Sequence, residues 1–199
     1  MNDIWIYILA CLAIVAIPGP AVIYILSRTV EGGFGAGVLS ASGVAMGALG
    51  NALASAFGLS LLFASVSASL YIIKYGGAIY LLYIAWKTIR SRSDRTAEAE
   101  TQKKSYFFQG LIVSLLNPKV TMFFAAFLPA FIDPSKGYFL QTSQLAIIFV
   151  VIAFIFDIVT VVTSGLTREF FLKNSGADSK IFKYLSAICL VLVACFAAK

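Results

Sequence analysis

Residues 13–24 read Ala13-Ile14-Val15-Ala16-Ile17-Pro18-Gly19-Pro20-Ala21-Val22-Ile23-Tyr24, a proline–glycine break inside an uncharged run from Ile4 to Ser27. A second stretch has the same build: Ser114-Leu115-Leu116-Asn117-Pro118-Lys119-Val120, inside the apolar run from Tyr106 to Ile132. Each run is long enough to cross a bilayer as a helix of about 20 residues. Proline lacks a backbone N–H and its ring crowds the preceding turn, so both helices are expected to break or bend near their middles. A freed backbone group in hydrocarbon is costly unless protein or a wet cavity satisfies it. Two breaks at matching depth therefore predict a site near the midplane, the arrangement used by secondary transporters.

The rest of the chain agrees with a membrane setting. Of its 199 residues, 60% are hydrophobic and only 12% are charged. Mean hydropathy is +0.93. A soluble domain is nearer half apolar and a quarter charged. The expectation is one membrane domain over 1–199, with no second folded domain. Asp3 and the long apolar run after it do not fit a cleaved signal, which has a basic start and a shorter core, so 4–27 is read as an uncleaved first span. Cys11, Cys189 and Cys195 all lie in apolar runs without a C-x-x-C, which argues against a disulfide framework. The absence of histidine rules out a histidine relay and argues against a transition-metal site; no metal and no cofactor are expected.

Charges punctuate the chain into six candidate spans, roughly 4–27, 37–63, 67–86, 106–132, 144–166 and 184–198, with a break around Ser65-Val66-Ser67 and a turn at Asp133–Gly137. With the N-terminus outside, the inner side receives Arg28, then Lys87, Arg90, Arg92, Arg95, Lys103 and Lys104, then Arg168, Lys173, Lys180 and Lys183. That is eleven of the 15 lysines and arginines. By the positive-inside rule both termini are then outside. The +6 net charge is thus a topology signal and no nucleic-acid partner is implied. Six spans divide into two sets of three, and an odd number per set inverts the second copy. The prediction is an all-α integral membrane protein built as two inverted three-helix repeats, 1–90 and 106–199, joined by a cytoplasmic linker at 91–105.

Gly33-xxx-Gly37 and Gly43-xxx-Gly47 are small-residue pairs that let helix backbones touch. Packing within one subunit is the simpler reading; a subunit interface, and so a homo-oligomer, is the alternative. Gly32-Gly33 reads as a turn near the membrane surface. Trp5 and Tyr7 at one end, and Tyr83 and Trp86 at the other, fit aromatic belts in contact with lipid. Phe123, Phe124 and Phe127 are read as packing or lipid-facing residues.

Three ionisable residues fall at depth: Lys74, Lys119 and Asp157. Such groups face a bundle interior or a wet cavity and usually carry function. Asp157 lies roughly 20 Å into its helix and Lys119 is similarly deep; Lys74 is about 10 Å from the outer surface. Lys74 is read as a pathway residue, with snorkelling to headgroups as its alternative. Lys119 and Asp157 are read as a pair in the path of a substrate, with a structural ion pair as the alternative. An aspartate released from its lysine by substrate is able to take a proton, which is a simple coupling device for proton antiport. No phosphate-binding Gly-x-x-x-x-Gly-Lys-Ser/Thr loop, Gly-x-Ser-x-Gly or His-Glu-x-x-His occurs, and an enzyme is not expected.

An ordered set of motifs carries a resemblance. It comprises Ile17-Pro18-Gly19-Pro20, Gly32-Gly33-Phe34-Gly35-Ala36-Gly37 and Lys74-Tyr75-Gly76-Gly77-Ala78-Ile79-Tyr80-Leu81-Leu82-Tyr83. It continues with Phe108-Gln109-Gly110-Leu111 leading to Leu116-Asn117-Pro118-Lys119, and ends with the aspartate of the fifth span. Together these resemble the lysine exporter (LysE/RhtB) family of amino-acid exporters, from end to end of the chain. The resemblance implies a bacterial cytoplasmic-membrane protein that expels amino acids on the proton gradient. One departure is Thr160-Val161-Val162-Thr163-Ser164-Gly165, where the family pattern has a tyrosine-alanine pair after the aspartate; it bears on substrate preference.

The residues themselves suggest how a small amino acid would be held. The half-helices starting near Pro20 and Pro118 would aim positive dipole ends and free N–H groups at a carboxylate. Pro18, Gly19, Pro20, Asn117, Pro118 and Lys119 are the candidate binding residues, and Asp157 the ammonium partner or proton carrier. The partners implied are an amino acid, protons and lipid. A passive small-solute channel or a membrane redox or scaffold protein is the alternative, although Cys11 lacks the second intramembrane cysteine that a thiol carrier needs.

Overall fold

The computed structural model describes residues 2–57, 67–90, 99–133, 137–175 and 179–198. Among these the chain is helical nearly throughout, with no strand. The first expected span is two helices, α1 (Asn2–Ala16) and α2 (Pro20–Gly32), bent by 54° across Ile17-Pro18-Gly19. Pro20 opens α2, where a missing N–H is one that no helix bond would have used. The fourth span breaks likewise. It is α5 (Ala99–Leu115) and α6 (Pro118–Met122), followed by a π-helical turn (Phe123–Phe127) and a 3-10 turn (Leu128–Phe131), with a bend of 46°. Pro118 opens α6, and Asn117 caps it by accepting from Lys119 N at 3.1 Å.

The remaining elements are α3 (Phe34–Ala56), α4 (Ser67–Arg90), α7 (Tyr138–Ser175) and α8 (Ser179–Ala198). Two expected elements differ in extent. The expected linker is helical from Ala99 onward, while 91–98 lie outside the described residues. Ser65 and Val66 of the expected break also lie outside them, as do 134–136 of the turn. The fifth helix runs well past 144–166, because no proline or glycine stops it before Gly176 except Gly165, which helices tolerate. Its hydroxyls are satisfied locally: Thr160, Thr163, Ser164 and Thr167 each donate to a carbonyl one turn back. By length and composition α3 and the Tyr138–Phe170 part of α7 can each cross a membrane, and each bent pair taken as one span brings the count among the described residues to four.

Small residues hold α3 against α5. A Cβ on Gly43 would lie 2.0 Å from the carbonyl oxygen of Phe107, and one on Gly110 would lie 2.5 Å from that of Ser40. Only glycine lets these backbones meet. The Gly43-xxx-Gly47 pair is thus used inside the chain. Gly33 has φ +79° and makes the turn between α2 and α3. The breaks divide the packed interior in two. One cluster joins Tyr24 and Ile25 of α2 to Leu81 and Ile84 of α4, Val113 of α5, Val161 of α7 and Leu190 of α8. The other joins Tyr7, Cys11 and Val15 of α1 to Val120, Phe123, Phe124 and Leu128, and to Leu145 and Phe149 of α7. Each half of a broken helix belongs to a different cluster, so the breaks sit at the seam.

Candidate functional site

The two breaks meet. Lys119, at the start of α6, reaches the end of α1 and its Nζ donates to the carbonyls of Ile14 at 3.1 Å and Ile17 at 2.7 Å. Its Cε and Nζ lie 3.4 Å from where a Cβ on Gly19 would be, so Gly19 gives the lysine room to pass. Pro20 and Pro118, the first residues of the two second halves, face one small cavity of about 10 Å3, which Lys74, Gly77 and Leu116 also line. Such a cavity holds about one water and no amino acid. Among the expected site residues Pro18 alone is plainly exposed, with Gly19, Pro20, Pro118, Lys119 and Lys74 half-buried and Asn117 and Asp157 buried.

Asp157 is 5% exposed at the middle of α7 and accepts no hydrogen bond from a described residue. It and Lys119 are close enough for their charges to act on each other, but they are not within the 4.0 Å of an ion pair. Lys119 takes the carbonyls of Ile14 in α1 and Ile17 just beyond it instead. The physical reason lies in the break: the α1 carbonyls have lost their helical donors and must be satisfied within the membrane. Asn117 is 1% exposed; its Oδ1 caps α6 while its Nδ2 is left without a partner. An unmade buried donor is a strong demand for a ligand acceptor. Lys74 lines the cavity between the prolines, with its ammonium 5.6 Å from the centre of the Tyr75 ring.

One aromatic reading differs. Tyr7 is fully buried, not in the lipid belt; its hydroxyl donates to Leu145 O at 2.8 Å. Trp5 is exposed. Residues two apart on a helix point roughly 200° apart, so this pair cannot share a lipid face. Tyr83 and Trp86 are exposed, as a belt requires. Phe123 and Phe124 are packed against Phe149, with ring centres 4.7 and 5.0 Å apart.

A polar clasp at the far end of α2 is not evident from sequence. Arg28 is 3% exposed, paired with Glu31, and donates to Thr88 Oγ1 of α4 at 2.9 Å. Its guanidinium lies 5.5 Å from the Tyr24 ring centre and 5.8 Å from that of Tyr106. Tyr24 donates to Tyr106 O at 2.8 Å, and Arg168 Nε donates to Val30 O at 2.8 Å. Four elements, α2, α4, α5 and α7, are thereby tied at one end of the bundle. Counting Arg28 as a loop charge hides this; the Glu31 one turn on is the signal that it has a buried partner.

Known proteins give the same picture at the level of the whole chain. The chain is 29% identical to a leucine efflux protein of Salmonella choleraesuis, over 98% of this chain and 92% of that protein. It is 28% identical to an uncharacterized membrane protein of Synechocystis, over 94% of this chain and 91% of that protein, and 32% identical to one of Pseudomonas aeruginosa, over 69% and 68%. No solved structure matches it. The LysE type translocator family matches residues 12–199, which take in both proline breaks, Lys74, Lys119 and Asp157. This chain, helical nearly throughout its described residues, is a multi-pass membrane protein and belongs to the LysE type translocator family.

Proposed function

We propose that this protein exports amino acids across the bacterial cytoplasmic membrane as a proton-coupled secondary transporter. The observation that carries the reading is the meeting of the two breaks, where the Lys119 ammonium sits on the carbonyls of Ile14 and Ile17 with Asp157 in electrostatic reach. Half-helix ends at a membrane midplane are what such transporters use to hold charged substrates. The positive ends of α2 and α6, with the free Asn117 Nδ2, suit the carboxylate. Asp157 is the group that trades substrate for a proton.

The reading includes two inverted three-helix repeats. The breaks in spans 1 and 4 bend by similar angles, 54° and 46°. The N-terminus outside and the clasp around Arg28 on the cytoplasmic side then describe a state closed to the cell interior. The one-water cavity fits that description: cargo enters only when the halves part.

Efflux from vesicles loaded with a panel of amino acids tests the reading. Saturable efflux of at least one, lost on adding an uncoupler, is the expected result, and leucine is the first to try because a relative carries that name. Efflux that an uncoupler leaves unchanged removes the proton coupling; no saturable efflux across the panel removes the export reading.

A further inference from the structure

Lys119 is an ammonium on a tether, and the groups around it explain what else that position accepts. In an unbroken helix the Ile14 carbonyl would accept from residue 18, but Pro18 has no N–H. The Ile17 carbonyl lies beyond the end of α1, in the break itself. Both are therefore free to point at a cation, and a helix C-terminus carries partial negative charge besides. Asp157 is buried, ionisable and without a hydrogen-bond donor among the described residues. The two carbonyls form a site for one primary ammonium, which Lys119 Nζ fills at 2.7 and 3.1 Å, with Asp157 in electrostatic reach and beyond ion-pair distance.

We propose that the Ile14 and Ile17 carbonyls, with Asp157, are the ammonium subsite for the cargo, and that Lys119 occupies it as a stand-in while the site is empty. This rests on the amino-acid export reading of the meeting of the two breaks. The α-ammonium of an entering amino acid takes the place of Lys119 Nζ on the two carbonyls. The displaced lysine is then next to the cargo's carboxylate, so neither charge is left buried alone. Exchange of one ammonium for another also keeps the orphan carbonyls satisfied throughout. The subsite selects a primary ammonium and is indifferent to the side chain, which leaves side-chain preference to other residues.

Removing the tethered ammonium should leave a vacancy that a free amine fills. The probes are 3-methylbutylamine, which is leucine without its carboxylate, and 4-methylpentanoate, which is leucine without its ammonium. Binding of each is measured to the purified full chain, native and Lys119→Ala. The amine is expected to bind Lys119→Ala at least about tenfold more tightly than the native chain, as a charged hydrogen-bond site regained. Methylammonium chloride is expected to raise the melting temperature of the variant, relative to sodium chloride, and not that of the native chain. Adding Asp157→Asn should remove most of both effects. Should Lys119→Ala fold poorly, Lys119→Met keeps the stem in place and gives the same readouts. No gain in amine binding, together with loss of 4-methylpentanoate binding, would show that Lys119 holds the carboxylate and would overturn the proposal. The two readings fail separately. Absence of amino-acid efflux by the native chain removes the export reading and leaves the cation site, whereas absence of amine gain removes the cation site and leaves export.

Discussion

At the residue scale the decisive facts are two charges and where their partners come from. Asp157 is buried in the middle of a continuous helix without a hydrogen bond from a described residue, a costly position for a carboxyl group within a membrane span. Asp157→Asn keeps the shape and removes the ability to carry charge. Gradient-driven efflux is expected to fall to background in this variant while the protein still folds and inserts, as read from its yield in the membrane and its melting curve. Uncoupler-sensitive efflux at the native rate in Asp157→Asn would sink the coupling role. That Lys119 and Asp157 fall far inside apolar runs was legible in the sequence from counting residues between loops. Their relation was not. Complementary charges at similar depth suggest a pair, but the orphaned Ile14 and Ile17 carbonyls compete for the lysine, and only the position of the α1 end shows that they win.

At the scale of elements, the contact between α3 and α5 depends on missing side chains. Gly43→Ala puts a methyl group within 2.0 Å of the Phe107 carbonyl oxygen, where backbone has to move. The expected loss is about 2–3 kcal/mol of stability, the scale of overpacking in a tight core, measured by unfolding in detergent. Gly35→Ala, with nothing within 4 Å, is the matched control and is expected to be neutral. Equal stability of the two variants would mean that the helices do not approach this closely. The glycine pair at 43 and 47 was visible in the sequence, because small residues at that spacing mark a helix contact. Which helix lies opposite was not, since several helices present small residues. The π-helical turn after Pro118 was likewise invisible: no local motif announces the extra residue that carries Phe123 and Phe124 into the core.

At the scale of the whole molecule, the lysine and arginine bias predicts which side each end is on. An alkaline phosphatase reporter, active only outside the cytoplasm, is expected to be active when fused after Lys199 and inactive when fused after Arg92. The reverse pattern would overturn the orientation and with it the cytoplasmic placement of the Arg28 clasp, and equal activity at both would remove the odd number of spans that the inverted topology needs. That clasp and the one-water cavity belong together at this scale, since one ties four elements and the other shows how little room the tie leaves.

The sequence by itself determined the membrane class, the helical content and the two broken helices. These follow from local chemistry: apolar runs of fixed length, and prolines that cannot donate. It also carried the family, because the ordered motifs span the chain. Only the tertiary structure decided that the breaks face each other, that Lys119 caps α1 instead of pairing with Asp157, that Tyr7 is buried and that Arg28 is a buried clasp. Each of these turns on which groups from distant parts of the chain are left to satisfy one another where water is absent. That competition is settled by packing, and packing is not written in any one stretch of sequence.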